Sequence, residues 1–288
     1  MNMKHLMMGA IATAASATML FVACNKENSS SDGVVPQGKQ SVSLFLTDAP
    51  GYFDNVYIDI QSVQVLVDTC DKSDDDRPGW GNGDKDSCKV WEDLQIRAGV
   101  YDLLQLRNGI DTLLASGVIS EGKVRQIKIE IGNRNSLVKD SITYPLNLPG
   151  DKTSLTIVLK LKGNECERYA KGKSRLWLDF DVQKSIFQLR NNAFYLNPVI
   201  RWFIENTTAS LQGSVKPQEA YAVISVYNGT DTAYALPGRN GEFKVRGLTA
   251  GTYSVFVNAS NGYQDTTINS VVLGAGDNKK LNAIQLHK

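Results

Sequence analysis

A chain of 288 residues with 31 Lys and Arg against 30 Asp and Glu has a formal charge of +1 and no basic stripe, so the electrostatic footprint of nucleic-acid binding is missing. It holds two histidines, His5 in an apolar leader and His287 near the C-terminus. Nucleophilic triads and histidine-ligated zinc need an imidazole fixed in a fold, which leaves only a carboxylate pair, as used on glycosides, among the common hydrolytic devices.

In chain order, Lys4 precedes a run of apolar and small residues from 6 to 23, the layout of an export signal, and the run stops at Cys24. Gly9, Thr13, Ser16 and Thr18 dilute it and a polar stretch over 25–32 follows, so it is expected to be cleaved; a spanning helix needs about 20 apolar residues. Leu20-Phe21-Val22-Ala23-Cys24 resembles the bacterial lipobox, with Phe21 where leucine is usual. The resemblance implies a signal peptide over 1–23 and a lipid on Cys24 that ties the protein to the membrane. Each buried CH₂ holds with about 0.8 kcal/mol, and more than one acyl chain is needed for a lasting anchor. Residues 24–40 read as a flexible tether. Its Lys26-Glu27 pair resembles the tract that sends Bacteroidetes lipoproteins to the cell surface, so the expected location is the outer membrane of the cell envelope, facing outward.

From Ser41 the apolar residues recur at every second position, the mark of half-buried strands. Val42, Leu44 and Leu46 form one stripe. Val56, Ile58 and Ile60 form another, which Val63, Val65 and Val67 continue one residue out of phase, so a bulge or turn is expected at Gln61-Ser62. Between Asp102 and Ala115 the leucines allow short helical turns, cut by the turn signal Asn108-Gly109. Ile127, Ile129 and Ile131 mark a further strand, as do Leu155, Ile157, Leu159 and Leu161. Leu176, Leu178, Phe180 and Val182 line one face of a strand and leave Trp177, Asp179 and Asp181 on the other. Two acids so placed lie about 7 Å apart by strand rise, within the span of inverting glycosidases. The competing expectation is a solvated or hydrogen-bonded sheet face without catalytic role.

Cys70 and Cys88 bracket a Gly- and Asp-rich insertion. Export permits disulfides, and these two are expected to pair, stabilising by about 3 kcal/mol in the chain-entropy model; Cys166 is the rival partner. Within the insertion Asp74, Asp75, Asp76, Asp84 and Asp86 offer the oxygens that a structural Ca²⁺ takes, although not at EF-hand spacing. A solvated acidic loop competes with that reading. No other cofactor is expected, and Trp80 is a candidate ligand contact.

Leu46-Thr47-Asp48-Ala49-Pro50, Leu103-Leu104-Gln105-Leu106-Arg107-Asn108-Gly109, Leu178-Asp179-Phe180-Asp181 with Ser185-Ile186, and Asn197-Pro198-Val199-Ile200-Arg201 together resemble a domain family of unknown function. That family occurs in exported bacterial lipoproteins and is common in Bacteroidetes. The resemblance covers 41–205 and implies a β-sandwich with no established reaction or ligand. Past the polar junction at 206–208 a second β pattern opens, in which Asn240-Gly241 predicts a type I′ hairpin. The run Gly247-Leu248-Thr249-Ala250-Gly251-Thr252-Tyr253 resembles carboxypeptidase-regulatory-like, transthyretin-like domains over 209–288, which implies a spacer or binding module. The expected fold class is therefore all-β, with two β-sandwich domains, immunoglobulin-like or transthyretin-like, behind the signal peptide.

Thr112, Ser141, Thr232 and Thr266 each follow an Asp, in triplets that resemble the O-glycosylation acceptor of exported Bacteroidetes proteins; about one such triplet is expected by chance. The function expected is that of a non-enzymatic, lipid-anchored envelope protein acting in adhesion or in binding a glycan or protein ligand. The alternatives are a glycan hydrolase working through carboxylates and a structural envelope or fimbrial spacer.

Overall fold

The computed structural model describes residues 35–49, 51–70, 88–161, 166–189 and 193–288. The leader with Cys24, the calcium candidates Asp74, Asp75, Asp76, Asp84 and Asp86, and Trp80 lie outside the described residues. β-branched and apolar side chains alternating on a pleat favour strands, and strands dominate. β1 (Lys39–Ala49), β2 (Asn55–Asp68), β3 (Lys89–Asp93), β4 (Gln95–Ile96) and β5 (Gly99–Asp102) come first. A one-turn 3₁₀ helix at Leu103–Leu106 follows, capped by Asp102, whose carboxylate accepts from the Leu104 N–H. Next come β6 (Thr112–Ser120), β7 (Lys123–Ile131), β8 (Ser136–Lys139), β9 (Ile142–Asn147) and β10 (Leu155–Lys160). β11 (Glu167–Ala170), β12 (Lys173–Asp181), the short helix α1 (Val182–Ser185), β13 (Ile186–Gln188), β14 (Phe194–Leu196) and β15 (Ile200–Phe203) end the first half. The second half holds β16 (Ala209–Lys216), β17 (Val223–Tyr227), β18 (Thr232–Ala235) and β19 (Glu242–Leu248), then β20 (Gly251–Asn258), β21 (Thr266–Leu273), β22 (Asn278–Lys280) and β23 (Ile284–Gln285).

In the first half one sheet runs β11-β12-β1-β6-β4 with β15 also on β12, and the other runs β10-β7-β2-β8-β9-β14-β13 with β3 and β5 also on β2. Leu44, Leu46, Leu178 and Phe180 of the first sheet share one core with Val56, Ile58, Val65 and Ile127 of the second. In the second half, β19-β16-β22 with β23 on β16 and β18-β17-β20-β21 enclose a separate core that includes Leu211, Ile224, Val226 and Val255. Both halves are β-sandwiches, two sheets closing their apolar faces on each other. Residues from Val35 onward nevertheless form one compact unit, so the junction at 206–208 does not separate two independent bodies.

The phase change in β2 is a bulge. Its register against β7 shifts between Ile60 and Ser62, and this keeps both halves of the stripe buried. Asn108 and Gly109 take positive φ, 59° and 79°, as a tight turn requires. The Asn240-Gly241 hairpin is corrected. Only Gly241 has positive φ, and the flanking β18 and β19 lie in different sheets, so this turn carries the chain across the sandwich. Cys70 and Cys88 form a disulfide with Cα atoms 5.5 Å apart. Cys166 is half-buried against the first core.

Candidate site at the seam between the sandwiches

β12 runs parallel to β1 and antiparallel to β15, so Thr47, Asp179 and Arg201 fall side by side. Alternation puts Asp179 and Asp181 opposite Leu178 and Phe180, but that face is not solvated: Trp177 is 3% exposed, Asp179 8% and Asp181 1%. The expectation of a solvated face fails because side chains of the second sandwich and of α1 close over it, and the hydrogen-bonded alternative is what the strand shows. Arg201 Nη2 donates to Asp179 Oδ2 at 2.8 Å, while its Nη1 reaches Asp231, which precedes β18, at 3.2 Å. Burial works against the Arg201 charge, and Asp179 and Asp231 more than offset it, so its pKa is raised. Asp181 is fully used as well. It caps α1 by accepting from the Lys184 N–H at 3.0 Å and pairs with the Lys184 ammonium at 3.0 Å.

A second arginine reaches the other way. Arg246 of β19 pairs with Asp111 at 2.8 Å and with Glu205, and Asp111 also accepts from the Trp177 indole N–H at 2.9 Å. Its guanidinium lies over the rings of Trp177 and Phe203, which stack in turn with Phe45 on Trp177. The Arg246 side chain is itself 8% exposed, so its cation–π contacts and charged hydrogen bonds act together on a buried guanidinium. Gly247 follows with φ 72°, and a Cβ there would meet the Phe203 ring at 3.0 Å, so glycine is required for the close approach. The rest of the Gly-Leu-x-x-Gly-x-Tyr run folds locally: the Tyr253 hydroxyl donates to the Thr249 carbonyl at 2.9 Å with its ring buried.

Asp48, at the end of β1, completes the acidic group. Both of its carboxyl oxygens are buried and have no hydrogen-bond partner among the described residues. Burial pushes its pKa well above the usual carboxylate range, and the charges of Asp179 and Asp181 push it further; the nearby Val182 N–H and Arg107 oppose this only in part. Burial also raises Asp179, with Arg201 countering. The space lined by Asp48, Asp179, Arg201 and Arg246 is about 20 Å³, room for about one water. A wider groove of 600 Å³ lies next to it, between β10 and β15, with Asp179, Arg201, Asp231 and Arg246 also in its lining.

Of the residues singled out from sequence, Asp179 and Asp181 meet here. Thr112 opens β6 beside Asp111, and Thr232 follows Asp231, so two of the four acceptor triplets border the seam. Ser141 is exposed at the tip of the β8–β9 turn and Thr266 half-buried in β21. Asp48, Arg201, Asp231 and Arg246 had no role assigned from sequence. Asp48 and Arg201 stood within quoted motifs, and an acid in register with a core stripe was the available signal.

A family model described as Domain of unknown function (DUF4382) matches residues 39–198. Comparison with curated proteins returned no match. Among solved structures, a type II cohesin–X-dockerin complex from Acetivibrio cellulolyticus is 24% identical over 27% of this chain, with a TM-score of 0.23, and the match spans 56% of that chain's length. The shaft pilin SpaA from Lactobacillus rhamnosus GG is 12% identical over 86% of this chain and 97% of its own, TM-score 0.23. The Bacillus anthracis TIE protein is 11% identical over 87% of this chain and 34% of its own, TM-score 0.23. Likeness at this level bears on no functional question.

Proposed function

The chain belongs to the DUF4382 family, whose function is unknown, and from that starting point we propose that it is a non-enzymatic lipoprotein of the cell envelope. In this reading it is anchored through Cys24, faces outward on the outer membrane, and uses its fused sandwiches to bind a glycan or protein ligand. The observation that carries the non-enzymatic part is the condition of the acids. Asp48, Asp179 and Asp181 are buried; the space that Asp48 shares with Asp179 is about 20 Å³, too small for a sugar ring, and of the three acids Asp179 alone also lines the wider groove, without a second carboxylate of this group beside it there. Asp179 and Asp181 are committed to Arg201 and Lys184. A glycosidase pair must flank the scissile bond with room for substrate or water between. The groove beside the seam, at 600 Å³, is by contrast within the usual size of ligand clefts.

The leader and Cys24 support the anchor, and the absence of a fixed histidine supports binding over catalysis. The test labels growing cells with an alkyne fatty acid, shaves intact cells with protease, and applies the purified protein to glycan arrays and hydrolysis panels. Expected are label on the wild type but not on Cys24→Ser, release by shaving, and binding without turnover. An unlabelled wild type contradicts the anchor. Glycan turnover that Asp179→Asn abolishes contradicts the non-enzymatic reading.

A further inference from the structure

We propose that the groove between β10 and β15 receives an extended polypeptide segment of another protein, which adds as a strand to the free edge of β10. The proposal rests on the reading of the chain as a binding body and names its partner class. Among the described residues β10 pairs only with β7 and forms the outer edge of its sheet. Its register runs without a shift from Leu155↔Ile131 to Lys160↔Gln126. The Leu161 N–H donates to the Arg125 carbonyl at 2.8 Å, and this fixes the phase of the ladder. In an antiparallel pair only alternate residues exchange main-chain bonds with the neighbour, so Leu155, Ile157 and Leu159 bond to β7. The N–H and C=O groups of Thr156, Val158 and Lys160 therefore face outward, with no partner among the described residues.

Such an edge is a template for strand pairing unless it is short, charged, bulged or covered. Most other edges are shorter or carry such protections: β5, β11, β15 and β18 have four residues, β23 has two, and β19 bears Glu242, Lys244 and Arg246. β3 bears Lys89, Glu92 and Asp93; β21 is broken by a register shift and by Ser270 at φ 60°; β4, β13 and β22 have two or three residues. β10 has none beyond Lys160 at its end. Its core-side residues Leu155, Ile157 and Leu159 are only half-buried, although they continue the apolar stripe of the sheet. Across the groove, Ile200 and Trp202 of β15 are half-buried too, so an inward side chain of an added strand would rest between the two sheets. Strand addition uses this division of labour, with main-chain bonds for affinity and alternate side-chain pockets for specificity.

Charge defines the guest further. Lys160 is the one charged side chain on this edge and has no ion pair among the described residues, so the complementary segment carries a carboxylate opposite it and apolar residues facing inward. Residues 25–33 and 71–87 of this chain lack that alternation and are not the guest.

The test uses the full chain in detergent and, as probe, a fluorescein-labelled nine-residue peptide that alternates Val and Thr around one Glu. Saturable binding by anisotropy is expected, lost when alternate peptide amides are N-methylated. Val158→Pro deletes an N–H that β7 does not use, so the fold is retained while binding falls at least about tenfold. Should that variant fail to fold, Lys160→Glu decides: binding weakens by about two- to fivefold and returns when the peptide Glu is changed to Lys. Absence of peptide binding, or binding indifferent to both Val158→Pro and N-methylation, overturns the proposal. A dimer of the chain that Val158→Pro dissolves would assign the edge to a second copy and overturns it as well. Glycan binding without peptide binding removes the strand and leaves the binding reading standing; binding of neither removes both.

Discussion

Asp48 ends β1 at the seam with both carboxyl oxygens buried and without a hydrogen-bond partner among the described residues. An unfolded aspartate titrates near about 3.9, and in the fold Asp48 titrates well above that because it is buried beside Asp179 and Asp181. A raised folded pKa means that its contribution to stability is fully present below the unfolded value and is lost as pH rises through the folded one. Asp48→Asn is therefore expected to stabilise the protein by about 1–3 kcal/mol at pH 7, with the gain vanishing below about pH 4; denaturant unfolding at both pH values measures it. Asp59 behaves oppositely. Hydrogen bonds from Arg134 lower its pKa, so what it contributes is present at neutral pH and lost as pH falls through that value. The candidate glycosylation sites also separate at this scale. Ser141 is exposed, whereas Thr112 and Thr232 follow acids clamped by Arg246 and Arg201. Peptide mass mapping is expected to find sugar on Ser141 and none on Thr112 or Thr232.

β12 shows what an element owes to its neighbours. Removing Arg201 strands the Asp179 carboxylate in a site 8% exposed, and loss of one partner of a buried pair costs about 3–5 kcal/mol. Arg201→Ala is expected to lower stability by that order in a urea titration, with Asp179→Asn in the same chain recovering part of it. The positions of β1, β2 and β7 were legible in the sequence because each buries one face and so keeps a period of two, and the bulge at Gln61 was legible as a break in that period. The second face of β12 was not. Trp177, Asp179 and Asp181 read as a polar face until the partners 22 and 30 residues from each other along the chain, Arg201 with Asp179 and Arg201 with Asp231, are brought together. The open flank of β10 escaped for the opposite reason, since Leu155, Ile157 and Leu159 form as regular a stripe as any buried strand, yet they are only half-buried and have no second neighbouring strand among the described residues. Asn240-Gly241 misled because a turn dipeptide says that the chain reverses, not which sheet it enters.

At the scale of the whole molecule, Arg201 and Arg246 cross from one sandwich to the other, and the Asn108 amide donates to the Leu236 carbonyl at 3.0 Å beside them. Two cores that share such a seam unfold together when its coupling exceeds the difference in their own stabilities. Asp179, one of the two acids that resemble a catalytic pair, thus helps through Arg201 and Asp231 to fuse two sandwiches into one body, and that fusion is the central claim. Differential scanning calorimetry of the wild type and of the double variant Arg201→Ala/Arg246→Ala tests it most directly. The seam predicts one cooperative transition for the wild type, with calorimetric and van't Hoff enthalpies equal, and two separate transitions for the double variant. Two transitions already in the wild type, or a double variant that melts as the wild type does, would contradict it.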